Sequence, residues 1–218
     1  MEISMNKGIL FDLDGTLIDT SGDLAGAVNL MRVHFGYPAL PVNEVMGFVG
    51  DGMHKLIARS IADTDIDFDE AITVNKKMYS ENLTVKTTFY PGSLELLRFL
   101  KEQEIPVAIT SNKPTDWCIQ IAKNLGFYDY VSAIYGGSDS YALKPSPDML
   151  ILAAEALDID LTQSIMVGDN WTDIDSGKAV GCKTAYFSQG FGEVGEHKPD
   201  FEYSEISSLK EWLIKALA

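Results

Sequence analysis

The sequence predicts an α/β fold, a doubly wound parallel sheet with a helical module inserted into it. Three observations carry this. Short apolar runs alternate with amphipathic helical stretches along most of the chain. Three of those runs stop at a polar group, Asp12, Ser111 and Asp169. Between about residues 20 and 86 the alternation lapses into successive helices, which sets that stretch apart from the rest. The expected division is therefore an α/β core of residues 1–19 and 87–218 and a helical domain of residues 20–86. A chain of 218 residues, 46% apolar, has the material for a sizeable core with an insert.

Taken in order, Gly8–Phe11 reads as a buried strand that ends on Asp12-Leu13-Asp14-Gly15. Residues at i and i+2 face the same way while the chain is extended, so Asp12 and Asp14 can share one pocket. Gly15 then allows a sharp turn. Leu24, Val28, Met31 and Phe35 recur at helical spacing over residues 23–35. A glycine-punctuated turn at 47–52 leads to a second helix at 53–61, and a third is expected over 69–82. From Phe89-Tyr90-Pro91-Gly92 the alternation resumes: helix 93–103, strand 106–110, helix 115–125, strand 131–135 and helix 147–156. Strand 165–168 ends at Asp169, followed by helix 173–180 and strand 183–187. An extended piece near Phe201 and an amphipathic helix through Leu209, Trp212, Leu213 and Leu217 finish the chain.

Net charge is −15, from 32 acidic and 17 basic residues. Nucleic acid is bound by Lys/Arg patches, and none occurs here, so it is not an expected partner. No apolar run reaches the roughly 18 residues of a membrane span, and the stretch Met1–Lys7 lacks the apolar core of a leader. Cys118 and Cys182 belong to no C-x-x-C pair, so both are expected as free thiols in a reducing compartment. The expectation is a cytoplasmic protein, monomer or homodimer.

In open α/β sheets ligands bind beyond the carboxyl ends of the strands. That edge should gather Asp12, Asp14, Asp169 and Asp173 with Ser111 and Lys144. Carboxylates crowded together need a counter-charge. Oxygen ligands of this kind suit a hard cation such as Mg²⁺, while Lys144 and Ser111 suit an anionic substrate. A carboxylate can also attack phosphorus directly. The set points to phosphoryl transfer.

Four motifs in order carry a family resemblance: Asp12-Leu13-Asp14-Gly15-Thr16, Ser111-Asn112-Lys113-Pro114, Lys144-Pro145-Ser146-Pro147 and Gly168-Asp169-Asn170-Trp171-Thr172-Asp173. The chain resembles the haloacid dehalogenase (HAD) superfamily over nearly its whole length, in its phosphatase branch and most of all its phosphoglycolate phosphatase group. The resemblance implies a Rossmann-like core, with residues 20–86 standing where this family inserts a helical cap. It implies that Asp12 is the nucleophile and Asp14 the general acid and base. Mg²⁺ would be held by Asp12, the backbone carbonyl of Asp14 and Asp169, with Asp173 nearby. Ser111 and Lys144 would grip the phosphate, assisted by the N–H groups of Leu13, Asp14 and Asn112. The acid at Asp14 departs from the dehalogenases and the phosphonate-cleaving members. Leu24 stands where the mutases carry a cap histidine. The stretch Val49–Arg59 is similar to the corresponding segment of phosphoglycolate phosphatases, and its Lys55 and Arg59, at i and i+4, are expected to meet a substrate carboxylate.

The function so implied is Mg²⁺-dependent hydrolysis of a small phosphate monoester through an aspartyl phosphate, 2-phosphoglycolate first, with a pyrophosphatase or a sugar-phosphate phosphatase or mutase as alternatives. A phosphoacceptor signalling module is the rival from another class, but a stable phospho-aspartate has no use for Asp14. Gly190–Gly195 fits G-x-G-x-x-G yet no helix follows, so a flexible loop is expected there. Asp63-Thr64-Asp65-Ile66-Asp67-Phe68 begins like a calcium loop but lacks its glycine and its final glutamate. His34, His54 and His197 have no metal-ligand spacing, and Trp171 is expected only to pack against a loop.

Overall fold

The computed structural model describes residues 7–217, so residues 1–6 of the segment read above for a leader lie outside the described residues. Among the described residues eight strands are formed: β1 (Ile9–Phe11), β2 (Ile18–Asp19), β3 (Thr88–Phe89), β4 (Val107–Pro114), β5 (Ala133–Gly137), β6 (Ile165–Gly168), β7 (Lys183–Phe187) and β8 (Phe201–Tyr203). The helices are α1 (Ser21–His34), α2 (Val42–Met46), α3 (Met53–Ser60), α4 (Phe68–Ser80), α5 (Ser93–Glu102), α6 (Thr115–Asn124), α7 (Asp148–Leu157), α8 (Trp171–Ala179) and α9 (Ile206–Leu217).

Six strands form one parallel sheet in the order β5-β4-β1-β6-β7-β8. Counted within that sheet alone this is 3-2-1-4-5-6, a doubly wound order that reverses beside β1. The strands are buried on both faces and so read as nearly unbroken apolar runs. The period of two is still visible. Ile9, Phe11, Val107, Ile109, Ile165 and Val167 join the core beneath α5, α6 and α9, whereas Leu10, Ala108 and Met166 meet Leu150, Ala153 and Ala154 of α7. In register, Phe11 lies beside both Ile109 and Val167. The residues that follow each strand therefore emerge at one edge.

The insert holds four helices where three were expected. The addition, α2, is five residues long, too short for a helical period to register in the sequence. The chain leaves through β2 and returns through β3, which pair antiparallel with Ile18 opposite Phe89. Asp23 ties this crossing: its carboxylate, 4% exposed, accepts from the N–H groups of Lys86 and Thr87 and from the Thr87 hydroxyl. The aspartates at 63–67 each have a structural partner. Asp63 takes the guanidinium of fully buried Arg32, Asp65 accepts from the Tyr37 hydroxyl, and Asp67 caps α4.

Other boundaries move for local reasons. β4 runs on to Pro114, beyond the expected end at Thr110. β5 begins at Ala133 because Tyr128–Tyr130 form a 3₁₀ turn. α8 starts at Trp171 because Asn170 and Asp173 form a capping box: the Asn170 side chain accepts from the first turn, and Asp173 accepts from the Asn170 N–H.

Candidate active site

Asp12 follows β1 directly, Ser111 and Asn112 lie in β4, and Asp169 follows β6. Aligned registers bring all of them to one cavity, which Asp14, Lys113, Lys144 and Asp173 also line. Its opposite wall is built by the insert, with Leu24 and Ala27 from α1, Met53 and Leu56 from α3, and Asn75 and Tyr79 from α4.

Lys144 is the electrostatic centre. Its ammonium, 3% exposed as a residue, donates to Asp12 Oδ1 at 2.8 Å, Asp173 Oδ1 at 2.5 Å and the Thr110 carbonyl at 2.6 Å. The loop that carries it is clamped by Asn112, whose Oδ1 accepts from the Lys144 N–H at 2.8 Å. Asn112 Nδ2 donates to the Lys144 and Gly50 carbonyls at 3.0 Å each. Burial opposes the charge on Lys144, but Asp12 and Asp173 outweigh it and hold the ammonium well above its ordinary range.

Asp12, Asp169 and Asp173 are buried, and each offers one oxygen within 4.8 Å of the others. Burial is the largest influence on Asp12. It outweighs the pull of Lys144, and with Asp173 and Asp169 adding to it the carboxyl is pushed up to about 8. Burial and Asp173 likewise push Asp169 up to about 7, against the hydrogen bonds it accepts. Three acids face one lysine. An all-oxygen cluster of this geometry with surplus negative charge fits a hard divalent cation.

Asp14 turns away from that cluster. Its Oδ1 accepts from Thr20 Oγ1 at 2.7 Å and from Lys113 Nζ at 2.6 Å, and Lys113 also donates to the Tyr79 hydroxyl at 2.6 Å. The carboxylates of Asp14 and Tyr79's phenol outweigh the burial that opposes the charge on Lys113, holding it above its ordinary range. Neither Lys113 nor Tyr79 was singled out from the sequence. Lys113 stands two residues past Ser111 in the stretch where β4 loses register with β5, between Thr110 and Pro114, so strand parity alone could not have placed it. Ser111 itself is 2% exposed and its Oγ accepts from the Lys113 N–H. Leu13 is fully buried in the core, and its side chain takes no part in the cavity wall.

The segment after β7 was also missed. Expected as a flexible loop, it folds onto Asp169, with the N–H groups of Phe191 and Gly192 donating to Asp169 Oδ2 at 2.8 and 3.0 Å. Thr16 Oγ1 holds the other oxygen at 2.9 Å. The glycines allow this approach: a Cβ on Gly190 would sit 2.3 Å from the Asp169 Cβ, and one on Gly15, where φ is +84°, would sit 2.3 Å from its Oδ2. Trp171 packs beside Gly195 of this loop.

Lys55 and Arg59 are not brought to the cavity. α3 turns Leu56, Ile57 and Ser60 inward, which leaves these two on its outer side. There Arg59 is held by Asp51 and the Phe48 carbonyl, with Lys55 3.8 Å from the same aspartate.

The pattern of the haloacid dehalogenase-like hydrolases matches residues 9–187. A phosphoglycolate phosphatase of Neisseria meningitidis is 37% identical over 97% of this chain and 90% of its own length. That of Escherichia coli K12 is 30% identical over 93% and 90%. Among solved structures, a predicted phosphoglycolate phosphatase from Haemophilus somnus 129pt superposes with a TM-score of 0.90 at 26% identity, covering 97% of this chain and 99% of that one. Matched in sequence over most of its length and in fold throughout, the chain belongs to the haloacid dehalogenase-like hydrolase family.

Proposed function

We propose that this chain hydrolyses a small phosphate monoester, 2-phosphoglycolate first among them, by way of an aspartyl phosphate on Asp12 and with Mg²⁺ at the cluster of Asp12, Asp169 and Asp173. The observation that carries the reading is Asp12 paired to Lys144 at 2.8 Å in a cavity shared with Asp14 and the two other acids. The activity named for the curated relatives supports the choice of ester.

Asp12 Oδ1 is held by Lys144, which leaves Oδ2 to attack phosphorus. As the new P–O bond forms, the bond to the leaving oxygen breaks and Asp14 passes its proton to that oxygen. Water then gives a proton to Asp14 and attacks the same phosphorus. The bond to Asp12 breaks, inorganic phosphate leaves, and both acids return to their starting forms. Ser111 and the Asn112 N–H bind phosphoryl oxygens while Lys144 offsets the charge that gathers on them. Mg²⁺ held by Asp12, Asp169 and Asp173 would supply further charge neutralisation. In this reading residues 20–86 are a cap over a core of residues 1–19 and 87–218, and β2 and β3 carry its two hinges. Buried, free Cys118 and Cys182 suit the reducing cytoplasm.

The test is phosphate release from 2-phosphoglycolate and p-nitrophenyl phosphate with Mg²⁺ present. Repeated turnover is expected; one equivalent of stable phosphorylation with none thereafter would favour a signalling switch. The metal assignment has its own test in thermal melting. Asp12 and Asp169 hold their protons to higher pH folded than unfolded, so their contribution to stability is complete below about pH 4. It is lost as pH rises through about 7 and 8. Mg²⁺ competes with those protons. The gain in Tm on adding Mg²⁺ should therefore be larger at pH 8 than at pH 5, and an equal gain at both would count against the cluster.

A further inference from the structure

One polar spot interrupts the apolar wall that the insert turns toward Asp12. Asn75 and Tyr79, one helical turn apart on α4, both line the cavity. Asn75 is 4% exposed, and its Nδ2 has no hydrogen-bond partner. A buried amide nitrogen left alone costs about 1–3 kcal/mol, and native folds keep few of them. Tyr79 accepts from Lys113, so its own O–H proton remains to be given. Lys113 directs two of its three N–H bonds to Asp14 and Tyr79, which leaves the third.

We propose that Asn75, with the Tyr79 phenol beside it, determines specificity for the leaving half of the ester by donating to a carboxylate there. This deepens the phosphatase reading and rests on it. Asn75 Nδ2, the Tyr79 O–H and the third Lys113 N–H are unspent donors at this spot, which suits a group that only accepts, and an ionised carboxylate is such a group. Nδ2 is itself shielded from the cavity, so the amide rotates to meet that oxygen and gains there the partner it lacks, and the ester without it leaves the amide bare. The role expected of Lys55 and Arg59 on α3 thus falls to α4, whose polar residues face inward.

The experiment compares kcat/KM for 2-phosphoglycolate and for ethyl phosphate, which is similar in size but carries no carboxylate. It uses the full chain with Mg²⁺ as wild type, Asn75→Leu and Asn75→Asp. Wild type should prefer 2-phosphoglycolate. Asn75→Leu should cut that preference by about tenfold or more, the scale of a lost hydrogen bond to a charged group. Asn75→Asp, which keeps the size and sets like charges together, should cut it further and serves if the leucine variant does not fold. A purely structural role would lower both esters in parallel, so a preference within twofold of wild type in a folded variant overturns the proposal. A wild type indifferent between the esters overturns it as well. Failure of the wild type to turn over either ester is a separate result, which removes the hydrolase reading and this proposal with it.

Discussion

Asp12→Asn is expected to end turnover, lowering kcat by about 10⁴-fold or more, the scale on which a covalent nucleophile is lost. The amide keeps the size of the side chain and can still accept from Lys144, but its nitrogen cannot attack phosphorus. The fold should not suffer. Lys144 retains Asp173 and the Thr110 carbonyl, and the substitution removes a carboxyl that burial has pushed up to about 8. Tm should hold or rise while activity vanishes, as when a site is kept for chemistry at some cost to stability. Phosphate release and a melting curve on one preparation would decide it. Activity within tenfold of wild type would dismiss Asp12 as the attacking group.

Lys144→Met should damage both function and fold. It removes the cation shared by two buried carboxylates and leaves the Thr110 carbonyl without its donor. Breaking a buried pair from one side costs about 3–5 kcal/mol, which in a chain of this size lowers Tm by roughly 10 °C. The ammonium is charged at every pH up to its raised folded value, so wild type keeps this contribution throughout the neutral range. In the variant Asp12, already pushed up by burial, can protonate instead. The loss should accordingly be larger at pH 8 than at pH 5, and a loss independent of pH would point to packing alone. Phosphate release should fall with the lost charge at Asp12.

The strand-end acids were legible because a parallel sheet leaves so little freedom. An apolar run that stops at Asp12 or Asp169 must stop at the carboxyl edge, and adjacent strands in register put those ends together. The run of helices between β2 and β3 was legible as missing alternation, whereas one-turn α2 and the two-residue strands β2 and β3 carry too few residues for any period. Lys55 and Arg59 show a different limit. Their spacing fixes that they share a side of α3 and not which side faces the cavity. The clue lay in Leu56 and Ile57, which claim the inward direction. Asn75 and Tyr79 carried no signal at all, because a polar pair on an amphipathic helix looks like a solvated face until the neighbouring α1 and β4 are in place. The loop at 190–195 was legible as a loop, but not its grip on Asp169, because that contact is made by main-chain groups.

That last feature reaches beyond this molecule. One oxygen of Asp169 is secured by peptide groups, and peptide groups survive the exchange of almost any side chain. The contact from position 191 thus outlasts a change of its side chain, which itself lines the cavity, provided the small neighbours at 190 and 192 persist. Letter-by-letter comparison would register the two glycines there but not the main-chain contact that runs between them.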